Sequence, residues 1–278
     1  MTSRTIHEPQ RFTLDEPVTA LDVRLISGRL NVVATDGPAR VDVARAAGAR
    51  RPLHVAHHDG TLSIRQERKF RWSQVLRWVG PFARWPRVDV SVAVPAEVLA
   101  TLRLVDGSLV ASGLRGETRA DVTSGRITLM GLRGRTVAKI TSGPVEALGV
   151  AGDLSLETVS GEVILADSAP ASVRAHTVSG AITCDFDNPR RSEIRLSTIS
   201  GGITVRVRED SDLAVRLHTV SGRITSGFPQ IRADGGFGAV HDGEGVLGAG
   251  EGKLWASATS GSIALLARGV GDDLEELP

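Results

Sequence analysis

"TVSGEVIL", residues 158–165, decides the fold, because closely similar segments recur along the chain. The further copies are VTSGRITL (122–129), ITSGPVEA (140–147), TVSGAITC (177–184), TISGGITV (198–205), TVSGRITS (219–226) and ATSGSIAL (258–265). VDGSLVA at 105–111 and LISGRLNV at 25–32 repeat the pattern nearer the N-terminus. Successive glycines lie 18 to 21 residues apart, except for a last step of 39 residues, which is about two of the others. A period near 20 without helical spacing is typical of a β-solenoid, in which each repeat forms one coil.

Alignment of the copies on their glycine shows which residues we expect inside. Apolar residues occupy the positions five before the glycine and two and four after it, as in Leu156, Val163 and Leu165. The parity of this alternation switches across Ser-Gly, so the dipeptide is predicted to form a corner. The position four before the glycine is predicted to face outward and to form a stack between coils: Asp121, Lys139, Glu157, His176, Ser197, His218 and Ser257. Gly60, in HDGTLSI, is expected to form a corner of the same kind.

The predicted fold is therefore all-β, a single-stranded β-solenoid of 18–21-residue coils. Its predicted parts are an N-terminal lead-in at 1–19, the solenoid domain at 20–267 and an acidic tail at 268–278. The solenoid is interrupted by an aromatic and basic insertion loop at 68–87 and by a β-hairpin at 238–258, whose glycine-rich turn lies around 248–252.

Composition describes an ordinary globular protein. A hydrophobic content of 41% and a net charge of +1 in 278 residues exclude a disordered chain and a general polyanion binder. The N-terminus lacks the apolar run of a signal peptide, and no stretch approaches the length of a membrane-spanning helix. We therefore expect a cytoplasmic location, with peripheral contact at the inner face of the membrane. The single cysteine, Cys184, excludes an internal disulfide and a cysteine-rich zinc site, and is expected to be buried.

The repeated T-[VSI]-S-G-x-I segments, the strand VDVSVAVP (88–95) and the final ATSGSIALL (258–266) resemble a bacterial β-strand-repeat family labelled "putative adhesin", or toastrack. The resemblance covers most of residues 20–267. It implies a β-solenoid fold without an established enzymatic activity. It also implies a link to bacterial envelope-stress and membrane-associated systems.

Motifs that carry chemistry point to neither a cofactor nor a metal. Gly243 to Gly248 matches the GxGxxG spacing of a dinucleotide site, but no helix is predicted to follow, so a turn is favoured. His57 and His58 are predicted to point to opposite faces of a strand, which disfavours a metal site shared with His54.

An enzyme is not expected either. The carboxylates that could serve acid-base catalysis are Asp121, Glu146, Glu157 and Glu162, and they do not fall in one outward column. Aromatic residues for stacking on sugars are expected to be absent from the coils. A scaffold or interaction protein is the favoured function. A carbohydrate-binding or carbohydrate-active β-helix and a self-assembling structural protein are the alternatives. No small-molecule substrate is evident.

Segment 68–87, RKFRWSQVLRWVGPFARWPR, is the candidate binding region, since it holds three of four tryptophans and six basic residues without an acidic one. Residues 71–79 have the spacing of a short amphipathic helix, which Gly80-Pro81 ends. We predict contact with an anionic membrane or a membrane-associated protein, and no nucleic acid, because valine, leucine and proline are interleaved. Alternatively, the tryptophans cover part of the solenoid. The predicted contact residues are Arg68, Lys69, Phe70, Arg71, Trp72, Leu76, Arg77, Trp78, Phe82, Arg84, Trp85 and Arg87.

Overall fold

The computed structural model describes residues 2–46, 52–66, 87–187, 191–233 and 241–269, and β-strands are the only regular elements in these ranges. The chain divides into two compact units, residues 1–124 and 125–278. The N-terminal strands are β1 (Thr2–Ile6), β2 (Gln10–Thr13), β3 (Ala20–Ala34), β4 (Arg40–Arg45), β5 (Leu53–His58), β6 (Thr61–Gln66), β7 (Val88–Val94) and β8 (Leu99–Ser112). Strand β9 (Thr118–Met130) spans the boundary between the units.

The described strands of the C-terminal unit follow β9, and about half of them end at a Ser-Gly corner. They are β10 (Arg133–Ser142), β11 (Val145–Leu148), β12 (Ala151–Ser160), β13 (Val163–Ser179), β14 (Ile182–Phe186), β15 (Glu193–Ser200), β16 (Ile203–Arg208), β17 (Leu213–Ser221), β18 (Ile224–Ser226), β19 (Arg232–Ala233), β20 (His241–Leu247), β21 (Gly252–Ser260) and β22 (Ile263–Arg268).

The N-terminal unit is built on β3, which bends at Ser27-Gly28. Strand β8 pairs with β3 in parallel along almost its whole length. On the other side of β3, β6 pairs in parallel with the first half and β7 with the second half. Strands β6 and β7 together therefore form one coil next to β3.

Outside this coil the strands run antiparallel, contrary to the expectation that single coils continue to the N-terminus. Strand β5 pairs with β6 and β1 with β5, while β4 pairs with β7 and β2 with β4. The prediction that Gly60 forms a solenoid corner is wrong. Asp59 and Gly60 have φ values of 47° and 73°, which is the geometry of a two-residue hairpin turn between β5 and β6.

The C-terminal unit contains two stacks of parallel strands with an apolar core between them. One stack orders β10, β12, the second half of β13, β15, β21 and β17. The other orders the end of β9, β11, the first half of β13, β14, β16, β22 and β18. Residues such as Leu156, Val163 and Leu165 are almost completely buried between the stacks. The predicted β-solenoid and its inward columns are confirmed.

Close contact between coils explains the glycine at each corner. A Cβ atom on Gly161 would lie 1.9 Å from the carbonyl oxygen of Gly143, and one on Gly143 would lie 1.8 Å from that of Gly125. Gly161 does not have a positive φ, so the approach of the neighbouring backbone alone excludes a side chain there. The coils around Gly125, Gly143 and Gly161 can stack this closely only because the residue at each of these corners lacks a Cβ atom.

The last coil of the sequence is not the last coil of the stack. Strand β21 pairs in parallel with β15 on one side and with β17 on the other. The coil around Gly261 thus lies between the coils around Gly201 and Gly222. Strand β20 covers the free side of β17 in the antiparallel direction and also pairs with β19.

This insertion corrects the predicted hairpin at 238–258. The chain does turn back at the predicted place, where Gly248 and Gly250 have φ values of 54° and 67°. However, β20 and β21 do not pair with each other, because β17 lies between them. The local sequence indicates the turn but not the strand that separates its two arms.

Candidate functional site

Most residues of the predicted membrane-binding segment lie outside the described residues. These are Arg68, Lys69, Phe70, Arg71, Trp72, Leu76, Arg77, Trp78, Phe82, Arg84 and Trp85. Arg87 is described and is exposed to solvent. The strands on both sides of the segment are described as well, so the positions of its two ends are known.

Both points lie at one corner of the β6–β7 coil. Arg65 pairs with Arg24, and Val88 pairs with Gly28. Strand β3 passes this corner with residues 25–27 alone, whereas the neighbouring coil has residues 66–87 between the same two positions. The aromatic and basic segment therefore replaces a short bend.

Gln66 closes the corner at the point where the segment begins. Its side-chain oxygen accepts a hydrogen bond from the backbone N–H of Ile26 at 2.9 Å, and the residue is 7% exposed. This bond satisfies a backbone donor that would otherwise lack a partner at the bend. The coil is thus complete up to Gln66.

The corners also carry exposed apolar side chains. Two positions before the corner glycine, the bend directs a β-branched residue toward solvent, and Val105 in the N-terminal unit is 53% exposed. The C-terminal unit repeats this feature in four coils, at Val159, Val178, Ile199 and Val220. Exposed apolar surface at repeated positions is unusual for a surface without a partner.

A second candidate surface surrounds Trp255, the one tryptophan outside segment 68–87. Trp255 lies on the outer face of β21 and is 49% exposed. Arg195 pairs with it in register on β15, and Arg216 pairs with it on β17. Because parallel strands lie about 4.8 Å apart, these two cations flank the indole on either side.

A groove of about 760 Å³ lies beside this tryptophan. Ala214 provides a shallow floor, and Val246 and Lys253, which pair with it in register on β20 and β21, lie on either side. The arginines are held by carboxylates: Glu193 lies 2.5 Å from Arg195, and Glu244 lies 3.3 Å from Arg216.

This surface corrects the prediction that the coils carry no aromatic residue for stacking on sugars. Trp255 is six positions before Gly261 and Ser257 is four before it, so strand alternation places both side chains on the same outward face. Arg195 and Arg216 occupy the same sixth position in their own repeats. The position six before the corner glycine is therefore also an outward column, and it contains Arg195, Arg216 and Trp255.

The histidine-rich segment lies in the hairpin of the N-terminal unit. His57 is 3% exposed, and its Nδ1 lies 2.7 Å from a carboxylate oxygen of Glu16. His58 is exposed next to Asp59, so the two rings point to opposite faces, as predicted. In the part of the chain that the structure describes, no group of three or more histidine, cysteine or acidic side chains could hold a metal ion.

The carboxylates considered for catalysis are distributed over both units and over both stacks of the C-terminal unit. Glu157 in β12 lies 2.6 Å from Lys139, and Glu146 in β11 lies 3.0 Å from Arg126. In the N-terminal unit, Asp121 contacts Arg103 and Arg119. Glu162 is exposed. Glu146 and Glu157 thus belong to opposite stacks and do not converge on one groove.

The remaining motifs have structural roles. The GxGxxG match lies in β20 and its turn, and a strand rather than a helix follows. Cys184 is buried in the core, and desolvation, reinforced by Asp185, raises the pKa of its thiol far above the usual range. A thiol in this position is not a nucleophile. None of the described residues form a helix with the length and apolar character needed to cross a membrane.

Comparison with known proteins extends these observations. No curated protein matches the sequence. A solved structure from Bacteroides fragilis, described as a "putative adhesin", is 10% identical over 95% of this chain and 97% of its own, with a TM-score of 0.46. A "putative lipid binding protein" from Parabacteroides distasonis is 12% identical over 93% and 97%, with a TM-score of 0.43. The sequence model of the toastrack DUF4097 family matches residues 22–266. The chain therefore belongs to the toastrack DUF4097 family.

Proposed function

We propose that this protein is a non-enzymatic β-solenoid scaffold that docks peripherally on an anionic membrane surface through residues 68–87. The observation that carries the proposal is the position of the segment's two ends. Both lie at a single corner of a coil whose neighbour in β3 needs only residues 25–27 to pass the same bend. A bend of this kind needs only three residues in β3, so the bend itself does not require the length or the aromatic and basic composition of the segment.

The chemistry of the segment suits a membrane interface. Six cationic side chains near an anionic leaflet each contribute about 1 kcal/mol, and indole rings favour the headgroup region. Neither term alone gives stable binding, but the combination of charge and inserted apolar side chains does. Val105 at the corresponding corner of β8 is exposed and adds apolar surface on the same edge of the N-terminal unit, which supports docking of this edge on a membrane.

Vesicle sedimentation tests the proposal. We expect the intact chain to bind vesicles that contain phosphatidylglycerol and not vesicles of phosphatidylcholine alone, with binding that weakens as salt is raised. The triple variant Trp72→Ser, Trp78→Ser and Trp85→Ser should keep its melting temperature and lose binding. Trp255→Ser is the matched control, because it removes an exposed tryptophan from another surface.

Two results would contradict this function. The first is a lack of binding to anionic vesicles at low salt. The second is a triple variant with a lowered melting temperature, which means that the tryptophans cover the solenoid instead. Retention of a membrane protein by the intact chain, without vesicle binding, would favour a membrane-associated protein as the partner.

A further inference from the structure

We propose that the groove beside Trp255 binds a glycan that carries carboxylate groups. This site lies in the C-terminal unit and is independent of segment 68–87. Its parts come from four successive strands, β15, β21, β17 and β20, which place Arg195, Trp255, Arg216 and Glu244 side by side in one row. A ligand can contact only those groups of the four strands that are not already paired within the sheet.

Backbone groups are not available along most of the groove. Strand β21 pairs on both sides, with β15 and β17, and β17 pairs on both sides, with β21 and β20. A peptide therefore cannot bind there by adding a strand, because strand addition needs an open edge. Recognition must come from the side chains that stand on the outer face.

The apolar side chains form a surface for a ring. Trp255 is half-exposed, and no cationic side chain of the described residues lies over its indole. Ala214 leaves a shallow depression beside it, and Val246 borders the depression with about half of its surface exposed. The C–H face of a pyranose packs against an exposed indole in this way, and such a contact needs no movement of the protein.

The polar side chains favour a sugar over a nucleotide. Each arginine of the row is paired with a carboxylate, Arg195 with Glu193 and Arg216 with Glu244. These pairs present donors and acceptors next to each other, which matches the donor and acceptor character of vicinal hydroxyl groups. Any anionic group between the same pairs would face the carboxylates of Glu193 and Glu244, and like charges at this distance repel, so these positions suit hydroxyl groups and an anionic group of the ligand must lie elsewhere in the groove.

One cation of the groove forms no ion pair with a described residue, since Glu193, which lies in register with it on β15, pairs with Arg195 instead. Lys253 is exposed, and within the described part of the chain its ammonium group forms no ion pair. It lies two residues from Trp255 on the same face of β21, so it reaches the edge of a ring stacked on the indole. A carboxylate on the sugar supplies the missing counterion, which makes a uronic acid a better ligand than a neutral hexose.

Calorimetric titration of the full chain with hexagalacturonate tests this site, and maltohexaose serves as the neutral probe. We expect hexagalacturonate to bind, with an affinity that falls as salt is raised, and maltohexaose to bind about tenfold or more weakly. Trp255→Ala should weaken hexagalacturonate binding about tenfold or more through loss of stacking. Ala214→Leu, which fills the floor, should do the same. Leu266→Ala is the matched control, since it removes an exposed apolar side chain on β22 and should leave binding unchanged.

Several outcomes would overturn the site. They are no binding of hexagalacturonate, equal affinity for maltohexaose, or unchanged affinity in both groove variants at an unchanged melting temperature. Trp255-dependent binding of adenosine monophosphate or of anionic vesicles in place of the glycan would also contradict it. The triple serine variant at Trp72, Trp78 and Trp85 should bind hexagalacturonate normally, so failure of membrane docking and failure of this site can be told apart.

Discussion

Corner glycines are the residues at which the repeat tolerates least change. We expect Gly161→Ala to destabilise the protein by about 2 kcal/mol or more, because its Cβ would lie 1.9 Å from the carbonyl oxygen of Gly143 and the coils would have to move apart. Gly37→Ala is the control, since the nearest atom to its Cβ lies 3.6 Å away. Urea unfolding measures both. Equal losses of stability would mean that close contact between coils does not explain why glycine recurs at the corners of this chain.

The inward and outward columns differ in how much a substitution is expected to lower the stability of the protein. Ile203 is completely buried, and Ile203→Asp places an unpaired charge between the two stacks, so we expect a loss of about 4 kcal/mol or more and unfolding of the central coils. Ser197 is half-buried on the outer face, where it bonds to His176 at 2.7 Å. Ser197→Ala should cost about 0.5 kcal/mol. Thermal melts compare the two variants, and similar melting temperatures would contradict the assignment of the columns.

At the scale of the elements, the inserted last coil makes the C-terminus structurally central. Truncation after Gly250 removes β21 and β22, which separate β15 from β17 and β16 from β18. In a solenoid with coils in sequence order, this deletion would remove one end coil. Here we expect it to abolish cooperative unfolding of the C-terminal unit, because two coils lose their shared partner at once.

Deletion of β1 is the comparison, since β1 is an edge strand that pairs with β5 alone among the described strands. Differential scanning calorimetry distinguishes the two truncations. We expect the β1 deletion to lower the melting temperature and to retain a cooperative transition. A C-terminal truncation that still unfolds cooperatively would show that the inserted coil is dispensable.

The elements also show what a sequence of this kind can and cannot predict. The columns and the Ser-Gly corners are predictable from the sequence because each recurs at a nearly fixed spacing, and residues at equivalent positions of different repeats have similar burial. The sequence does not distinguish a solenoid corner from a hairpin turn at Gly60, because Asp-Gly before an apolar strand is typical of a hairpin turn as well. The order of the coils was not predictable, because residues 241–260 encode two strands and a turn but not the strand that lies between them. The predicted outward column does not include Trp255, because Trp255 lies two residues before Ser257, at the next outward position of the strand.

At the scale of the whole molecule, the described strand edges favour docking over self-assembly. Growth by strand addition requires a long open edge. The outer strands β1 and β2 have 5 and 4 residues, and β19 has 2. Such short edges are poor templates for another copy. The surfaces that we propose for interaction are therefore side-chain surfaces: segment 68–87, the exposed corner residues and the groove beside Trp255.

Quenching of tryptophan fluorescence by brominated lipid tests the membrane proposal most directly. The measurement uses Trp255→Phe, so that Trp72, Trp78 and Trp85 are the only tryptophans left. We predict that phosphatidylglycerol vesicles with bromine atoms near the headgroup end of the acyl chains quench the emission, that unbrominated vesicles shift it to the blue, and that phosphatidylcholine vesicles do neither. Unquenched emission under conditions in which the protein sediments with brominated anionic vesicles would contradict docking through residues 68–87. Emission that stays unquenched at every lower salt concentration would contradict it as well.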